Sequence, residues 1–128
     1  MSYKILTVDD SKMVRKIVAR TFLPLGCEVF EAANGTDGLT AALTFLPDLI
    51  FLDITMADLN GLVVLEKLRQ VAQLKTTHVV MLTAESGNNS IERADALKVA
   101  GYISKPFKGA QLLAIATKLL NLQPLVST

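Results

Sequence analysis

The chain has 128 residues, of which 51% are hydrophobic and 20% are charged, a balance typical of one compact domain with a buried core. Its formal net charge of +1 and its lack of Trp argue against a nucleic-acid surface and against attraction to anionic lipid. The single cysteine, Cys27, excludes an internal disulfide, and no apolar run reaches the length of a membrane span, so we expect a cytoplasmic protein.

In the first half of the chain, short apolar runs alternate with stripes of apolar residues at helical spacing. Residues 4–9 form an apolar run that ends in an acid, and a helical stripe over residues 14–22 follows it. Residues 27–32 alternate apolar and polar side chains, which is typical of a strand at a sheet edge, and a second stripe covers residues 39–46. Residues 49–53 are nearly all apolar, which predicts a strand buried on both faces.

The same alternation continues to the end of the chain. A third helical stripe lies over residues 62–72, and residues 79–83 form another apolar run. The fourth helix, predicted from about residue 88 to residue 98, has the weakest stripe. A short strand over residues 102–105 and a helix over residues 112–119 close the pattern.

Strand and helix therefore alternate five times, which predicts an α/β protein with right-handed parallel crossovers. We expect a (βα)5 doubly wound, flavodoxin-like sandwich. The alternation does not fix the strand order of its five-stranded parallel sheet, and we adopt 2-1-3-4-5, the order of flavodoxin-like folds. Residues 1–128 would form a single domain, with a core over about residues 3–121 and a short C-terminal tail over residues 122–128.

Charged and hydroxyl side chains stand where the predicted strands end. Asp9 and Asp10 end the first strand, Asp53 the third, Thr83 the fourth and Lys105 the fifth. In open α/β sheets ligands bind outside the strand carboxyl ends, and in this strand order the crevice lies between the first and third strands. Three carboxylates in one crevice repel one another unless a cation neutralises them, and hard oxygen ligands favour Mg²⁺ or Ca²⁺ over zinc.

Each of these residues also has an ordinary structural interpretation. Asp9 and Asp10 could cap the first helix, Asp53 could be a turn residue, Thr83 a strand-end hydroxyl and Lys105 a solvated charge. Their joint placement at one edge of the sheet is what favours a site. A lysine and a hydroxyl beside Asp53 are the groups that the oxygens of an incoming phosphoryl group require.

Short motifs between these residues add a family resemblance. In chain order they are Val8-Asp9-Asp10, Asn34-Gly35, Pro47-Asp48-Leu49, Asp53-x-x-Met56, Asn60-Gly61, Thr83-Ala84 and Tyr102-Ile103-Ser104-Lys105-Pro106-Phe107. In order and spacing, this set resembles bacterial two-component response-regulator receiver domains over essentially the whole chain, and in particular stand-alone regulators of the chemotaxis type.

The resemblance implies a phosphorylation site with a metal ion. Asp53 would accept a phosphoryl group from a phosphohistidine or from a small acyl phosphate. Asp10, Asp53 and the backbone carbonyl of Thr55 would bind Mg²⁺ directly, and Asp9 would act through a bound water. Lys105 would pair with Asp53 before phosphorylation and with the phosphoryl group afterwards.

The resemblance also implies a conformational switch. Thr83 would move its hydroxyl onto the phosphoryl group and vacate space into which the Tyr102 ring turns, which reshapes the face of the fourth helix, fifth strand and fifth helix. Thr55 and Glu85 would tune the lifetime of the phosphoryl group by controlling the access of water. The Lys105–Pro106 peptide bond would be cis.

Two positions depart from the family pattern. Ala57 stands where a proline usually follows Met56, which should loosen the loop after Asp53. Lys98 stands where a glycine usually ends the fourth helix. Either Lys98 adopts a positive φ or this helix ends differently, and both alternatives affect the expected output face.

Three other interpretations stay open. A pseudo-receiver that only binds partners usually lacks an acidic-pocket or lysine residue, whereas all of them are present here. An aspartate-nucleophile phosphohydrolase typically carries D-x-D after the first strand, whereas Asp9 and Asp10 are adjacent, and the length leaves no room for a cap domain. A nucleotide-binding module would need a Gly- or Ser/Thr-rich loop where residues 10–13 read DSKM.

The expected partners follow from the resemblance. The phosphodonor would be a sensor histidine kinase or a histidine phosphotransfer protein. Because little sequence follows the fifth helix, the signal would pass to a separate target protein through the face around Tyr102. Chemotaxis, a phosphorelay step and enzyme regulation fit equally. We expect a signalling phosphoprotein, not an enzyme, that is a monomer or a phosphorylation-dependent dimer without nucleic-acid or membrane partners.

Overall fold

The computed structural model of the chain describes residues 2–84 and 88–122. The strands form one parallel sheet in the order β2-β1-β3-β4-β5, as predicted. Their bounds are Lys4–Val8 (β1), Glu28–Ala32 (β2), Leu49–Asp53 (β3), His78–Thr83 (β4) and Gly101–Ser104 (β5). The helices between and after them are Lys12–Phe22 (α1), Gly35–Phe45 (α2), Gly61–Arg69 (α3), Asn88–Ala96 (α4) and Gly109–Leu119 (α5).

The sheet has a separate hydrophobic core on each face. Side chains that alternate along β1, β3 and β4 point to the two sides, as the pleat requires. One core joins the sheet to α2, α3 and α4, and the other joins it to α1 and α5. Cys27, just before β2, is 5% exposed and lies in the second core, which confirms it as a small core residue.

The three helices that follow β1, β2 and β3 each begin with a side-chain N-cap. Ser11, Asn34 and Asn60 are the N-caps of α1, α2 and α3, and the side chain of each accepts a hydrogen bond from a backbone N–H in the first turn. Such caps satisfy donors that the helix itself leaves unpaired. Ser11 takes the cap role that the ordinary interpretation gave to Asp9 and Asp10, and both carboxylates are left beside the sheet.

The exit from α4 settles the two alternatives for Lys98. The helix ends at Ala96, two residues before the predicted end, and Lys98 has a φ of 59°, in the left-handed region. The Arg69 guanidinium on α3 donates hydrogen bonds to the carbonyls of Leu97 at 2.8 Å and Lys98 at 3.2 Å, and others to Leu74 and Thr77. One half-buried arginine therefore joins α3 to the turn after α4.

The remaining boundary differences are small and leave the site residues beside the sheet. Asp9 and Lys105 lie one residue past the ends of β1 and β5, where predicted strands had included them. The tail beyond residue 122 and Glu85 lie outside the described residues. In the part of the chain that the structure describes, no helix is both long and apolar enough to cross a bilayer.

Candidate functional site

Three carboxylates converge at the carboxyl ends of β1 and β3. These two neighbouring strands are the ones between which the crevice at the switch point lies. Asp9, Asp10 and Asp53 each offer an oxygen, and these oxygens all lie within 4.8 Å of one another. Asp9 is fully buried and Asp53 is 4% exposed, whereas Asp10 is exposed. A cluster of hard oxygen ligands open to solvent on one side has the chemistry of a divalent-cation site.

Lys105 supplies the positive charge of the site from the loop after β5. Its Nζ lies 2.8 Å from Asp9 Oδ2 and 3.3 Å from Asp53 Oδ1. The backbone N–H of Lys105 donates to the carbonyl of Thr83 at 2.7 Å, and the Lys105–Pro106 peptide bond is cis, as the resemblance implied. The expected pairing with Asp53 is present, but Asp9 is the nearer partner.

The charged groups of the site shift one another's pKa values. Burial, and then the negative charge of Asp9, raise the pKa of Asp53 from 3.8 to about 6, although Lys105 and the N–H of Thr55 act in the opposite direction. Burial by itself lowers the pKa of Lys105, but the hydrogen bonds and charges of Asp9 and Asp53 outweigh it, and the net pKa is raised. At neutral pH the site therefore holds an ionised Asp53 at an energetic cost.

The raised pKa predicts that Asp53→Asn stabilises the protein in the absence of divalent cations. The folded state binds the Asp53 proton more tightly than the unfolded state does, so ionisation of Asp53 lowers stability as pH rises from about 4 to about 6. Asn carries no such charge, and near neutral pH we expect it to raise the free energy of unfolding by about 3 kcal/mol. Urea unfolding in EDTA measures this difference.

The pH dependence identifies the cause of this effect. Near pH 3, below both pKa values, Asp53 is mostly protonated in the folded and in the unfolded state, and the stability difference between Asp53→Asn and the wild type should nearly vanish. Glu28→Gln, which removes an exposed acid on the edge strand, is the matched control and should leave stability within about 0.5 kcal/mol at both pH values. An Asp53→Asn protein that is no more stable than the wild type near neutral pH would contradict the raised pKa of Asp53.

Backbone contacts fix the orientation of Asp9. Its Oδ1 accepts a hydrogen bond from the N–H of Ser11 at 2.8 Å. Its carbonyl accepts one from Arg15 Nη1 at 2.7 Å, and Arg15 Nε also contacts Glu31 on the edge strand at 3.2 Å. Arg15 was not among the predicted site residues, because neither of these contacts has a local sequence signal.

The loop after β3 is tied to the start of α2 by Asp58. Its carboxylate accepts hydrogen bonds from the N–H groups of Gly35, Thr36 and Leu59 and from the Thr36 hydroxyl, at 2.7–3.0 Å. The bonds from Gly35 and Thr36 lower the pKa of Asp58 far below its ordinary range. Asp58 thus anchors the loop in which Ala57 replaces proline, while the looser loop expected from Ala57 stays a prediction.

Thr55 and Thr83 lie on elements next to this cluster, whereas Tyr102 contacts α4. Thr55 is exposed, and its N–H donates to Asp53 Oδ1 at 3.3 Å. Thr83 is buried at the end of β4, the strand that pairs with β3. Tyr102 lies on β5, half-buried, and its hydroxyl donates to a carboxylate oxygen of Asp95 on α4. The Asp95 contact was not predicted.

Fold and site together define a doubly wound α/β protein with an acidic, lysine-bearing cluster at its topological switch point. The sequence matches the family described as the response regulator receiver domain over residues 5–117. The chain belongs to this family, whose members are signalling domains, and this confirms the resemblance and the predicted function class.

Individual relatives support the same assignment. The chain is 30% identical to the chemotaxis protein CheY of Bacillus subtilis over 94% of its own length and 100% of that protein. It is 32% identical to the probable transcriptional regulator ycf29 of Pyropia yezoensis, of which it spans only 54%. The solved structure of the chemotaxis response regulator CheY4 of Vibrio cholerae is 32% identical, with a TM-score of 0.87 over 94% of this chain and 100% of that one.

Proposed function

We propose that the chain is a phosphorylation switch that accepts a phosphoryl group on Asp53 and passes the signal to a separate protein. The observation that carries the proposal is the position of Lys105 Nζ, within 3.3 Å of both Asp53 and Asp9 at the mouth of a three-carboxylate cluster. A nucleophilic carboxylate with a cation beside it, at the ligand-binding edge of the sheet, suits phosphoryl transfer.

The ionised carboxylate of Asp53 is the nucleophile in this proposal. With a pKa of about 6, it is mostly deprotonated at neutral pH. An Asp53 oxygen attacks the phosphorus, and the P–N bond of a phosphohistidine breaks, so that the imidazole nitrogen keeps the electron pair. Lys105 then turns from the carboxylates to the oxygens of the bound phosphoryl group, where its charge stabilises the transferred negative charge.

The carboxylate cluster fits Mg²⁺ in donor chemistry, because it offers only hard oxygen ligands. Asp10, Asp53 and the carbonyl of Thr55 would hold the ion directly, and Asp9 through a water. When bound, Mg²⁺ would neutralise charge between the carboxylates and the phosphoryl oxygens. Asp9, which is nearer to Lys105, is placed to keep the lysine at the site before the phosphoryl group arrives.

The output of the switch would run through β4 and β5. Thr83 would move its hydroxyl to the phosphoryl group, and the Tyr102 ring would turn into the space that Thr83 leaves. The added dianionic group would shift the equilibrium between two conformations of the face formed by α4, β5 and α5. Glu85 and Thr55 would govern the access of water to the phosphoryl group.

The expected phosphodonor is a sensor histidine kinase or a histidine phosphotransfer protein, and the target would dock on the face around Tyr102. Such a donor and the free, buried thiol of Cys27 both suit the cytoplasm. We propose no enzymatic turnover of an external substrate. The single-domain organisation over residues 1–128 and the oligomeric state stay predictions.

Incubation with acetyl phosphate and Mg²⁺ tests the proposal. Intact-protein mass spectrometry should show the gain of one phosphoryl group in the wild type and none in Asp53→Asn or in EDTA. Asp37→Asn, at an exposed acid in the first turn of α2, is the matched control and should be modified as the wild type is. If the wild type stays unmodified both with acetyl phosphate and Mg²⁺ and with a histidine kinase as a second donor, the chain is a pseudo-receiver and not a phosphorylation switch.

A further inference from the structure

Tyr102 has a charged hydrogen-bond partner on the neighbouring helix. The residue pairs in register with the buried Met81 of β4, two positions before Thr83. Its ring packs against the core that joins the sheet to α2, α3 and α4, and its hydroxyl reaches outward to donate to Asp95 Oδ1. Asp95 is exposed, so the hydroxyl is held at the surface and not inside the sheet.

The Asp95–Tyr102 contact joins α4 directly to β5. Two further polar contacts of this helix region lead instead to α3: Arg93 lies 2.5 Å from Glu66, and Arg69 binds the carbonyls of the turn after α4. The side chain of Asp95 therefore links the helix to the strand that carries the expected switch residue. A carboxylate acceptor makes the hydrogen bond charge-assisted, and such bonds are about twice as strong as neutral ones.

We propose that Asp95 is a positioning residue for Tyr102, holding the ring in the arrangement of the unphosphorylated chain and so opposing the phosphorylated one. The inference rests on the proposed function. If the ring turns toward the space beside Thr83, its hydroxyl leaves the exposed Asp95 carboxylate. A contact present in one arrangement and lost in the other shifts the equilibrium between them by the free energy of that contact.

The Tyr102 phenol stays protonated, which keeps this contact available. Burial, and then the hydrogen bond and charge of Asp95, raise the pKa of Tyr102 above its ordinary value. Tyr102 therefore stays a hydrogen-bond donor over the physiological pH range. Removal of the Asp95 carboxylate should free the ring without disturbing the metal site, because Asp95 lies on α4 and makes no part of the carboxylate cluster.

Binding of beryllofluoride, a stable analogue of the phosphoryl group, measures the effect. With Mg²⁺ present, calorimetry should show that Asp95→Ala binds the analogue about fivefold more tightly than the wild type, which corresponds to about 1 kcal/mol. Asp95→Asn keeps a carbonyl acceptor and should fall between the two. Glu92→Ala, which removes an exposed acid from the same helix, is the matched control and should bind as the wild type does.

The coupling to Tyr102 is tested separately. In a Tyr102→Phe background, which lacks the hydroxyl, Asp95→Ala should no longer change the affinity, as expected for two residues that act through one contact. The chain has two tyrosines, so Tyr3→Phe leaves the Tyr102 ring as the only tyrosine signal in an NMR spectrum. Without any phosphoryl analogue, that signal should move in Asp95→Ala and stay in place in Glu92→Ala.

The outcomes separate the two proposals. Equal affinity of Asp95→Ala and the wild type overturns the role of Asp95 and leaves the phosphorylation switch intact. An affinity gain that persists in the Tyr102→Phe background overturns the positioning of the ring. If no variant binds beryllofluoride, even though the Tyr102 signal responds to Asp95→Ala, both the proposed function and the inference that rests on it are overturned.

Discussion

Lys105→Ala is expected to slow phosphoryl uptake from acetyl phosphate by about 100- to 1000-fold, the usual effect of removing one charge-stabilising donor from a reaction centre. Lys105 Nζ is within 3.3 Å of Asp53 and Asp9, so its loss leaves the carboxylates facing the incoming anion without their nearest positive charge. Single-turnover uptake at saturating Mg²⁺, followed by intact-protein mass spectrometry, gives the rate.

Two comparisons make this prediction specific. Lys118→Ala removes an exposed lysine near the end of α5 and should leave the uptake rate unchanged. Lys105→Ala should also raise the pKa of Asp53 further, because both contributions of Lys105 to that pKa lower it. A Lys105→Ala protein that is phosphorylated at the rate of the wild type would remove Lys105 from the proposed chemistry.

Gly61→Ala is expected to reduce the free energy of unfolding by about 3 kcal/mol, in the range of substitutions that force a packed backbone apart. A Cβ on Gly61 would lie 2.0 Å from the carbonyl oxygen of Asp53 and 2.9 Å from the Cα of Ile54. The N–H of Gly61 also donates to the Ile54 carbonyl at 2.7 Å, so the start of α3 cannot withdraw without breaking this bond. Urea unfolding measures the loss.

The matched control is Gly101→Ala at the start of β5. There a Cβ would lie 2.5 Å from Ile115 Cδ1, the end of a flexible side chain that can rotate away, so the loss should be about 1 kcal/mol or less. Because the clash at Gly61 is with the backbone of Asp53 itself, Gly61→Ala should impair phosphoryl uptake as well. Equal stability of the two alanine variants would contradict the close approach of α3 to β3.

The sequence predicts the centre of the site well because parallel strands bring their carboxyl ends to one edge. With the strands located by periodicity and the order taken from flavodoxin-like folds, Asp9 and Asp53 end neighbouring strands, and Lys105 follows a strand two positions beyond β3 at the same edge of the sheet. The alternation of apolar and polar residues in β2 predicted a strand at the edge of the sheet, and the strand order confirms it. Geometry common to the whole fold class is thus accessible without an atomic structure.

Contacts between a side chain and a distant backbone were not predictable in this way. Asp58 binds N–H groups 22 and 23 residues away, and Arg69 binds a carbonyl 28 residues away. Any backbone N–H or carbonyl can serve as the partner, so residue type gives no signal for the pair. The Asp95–Tyr102 bond spans the turn between α4 and β5, in which Lys98 has a positive φ.

The identity of the phosphorylated residue decides whether Asp53 is the phosphoacceptor. After reaction with acetyl phosphate and Mg²⁺, reduction with borohydride converts an aspartyl phosphate to homoserine, and peptide mass spectrometry locates it. Homoserine should replace Asp53 alone, and the Asp53→Asn protein should yield none. Homoserine at Asp9 or Asp10, or a phosphoryl group retained on another side chain, would contradict this prediction.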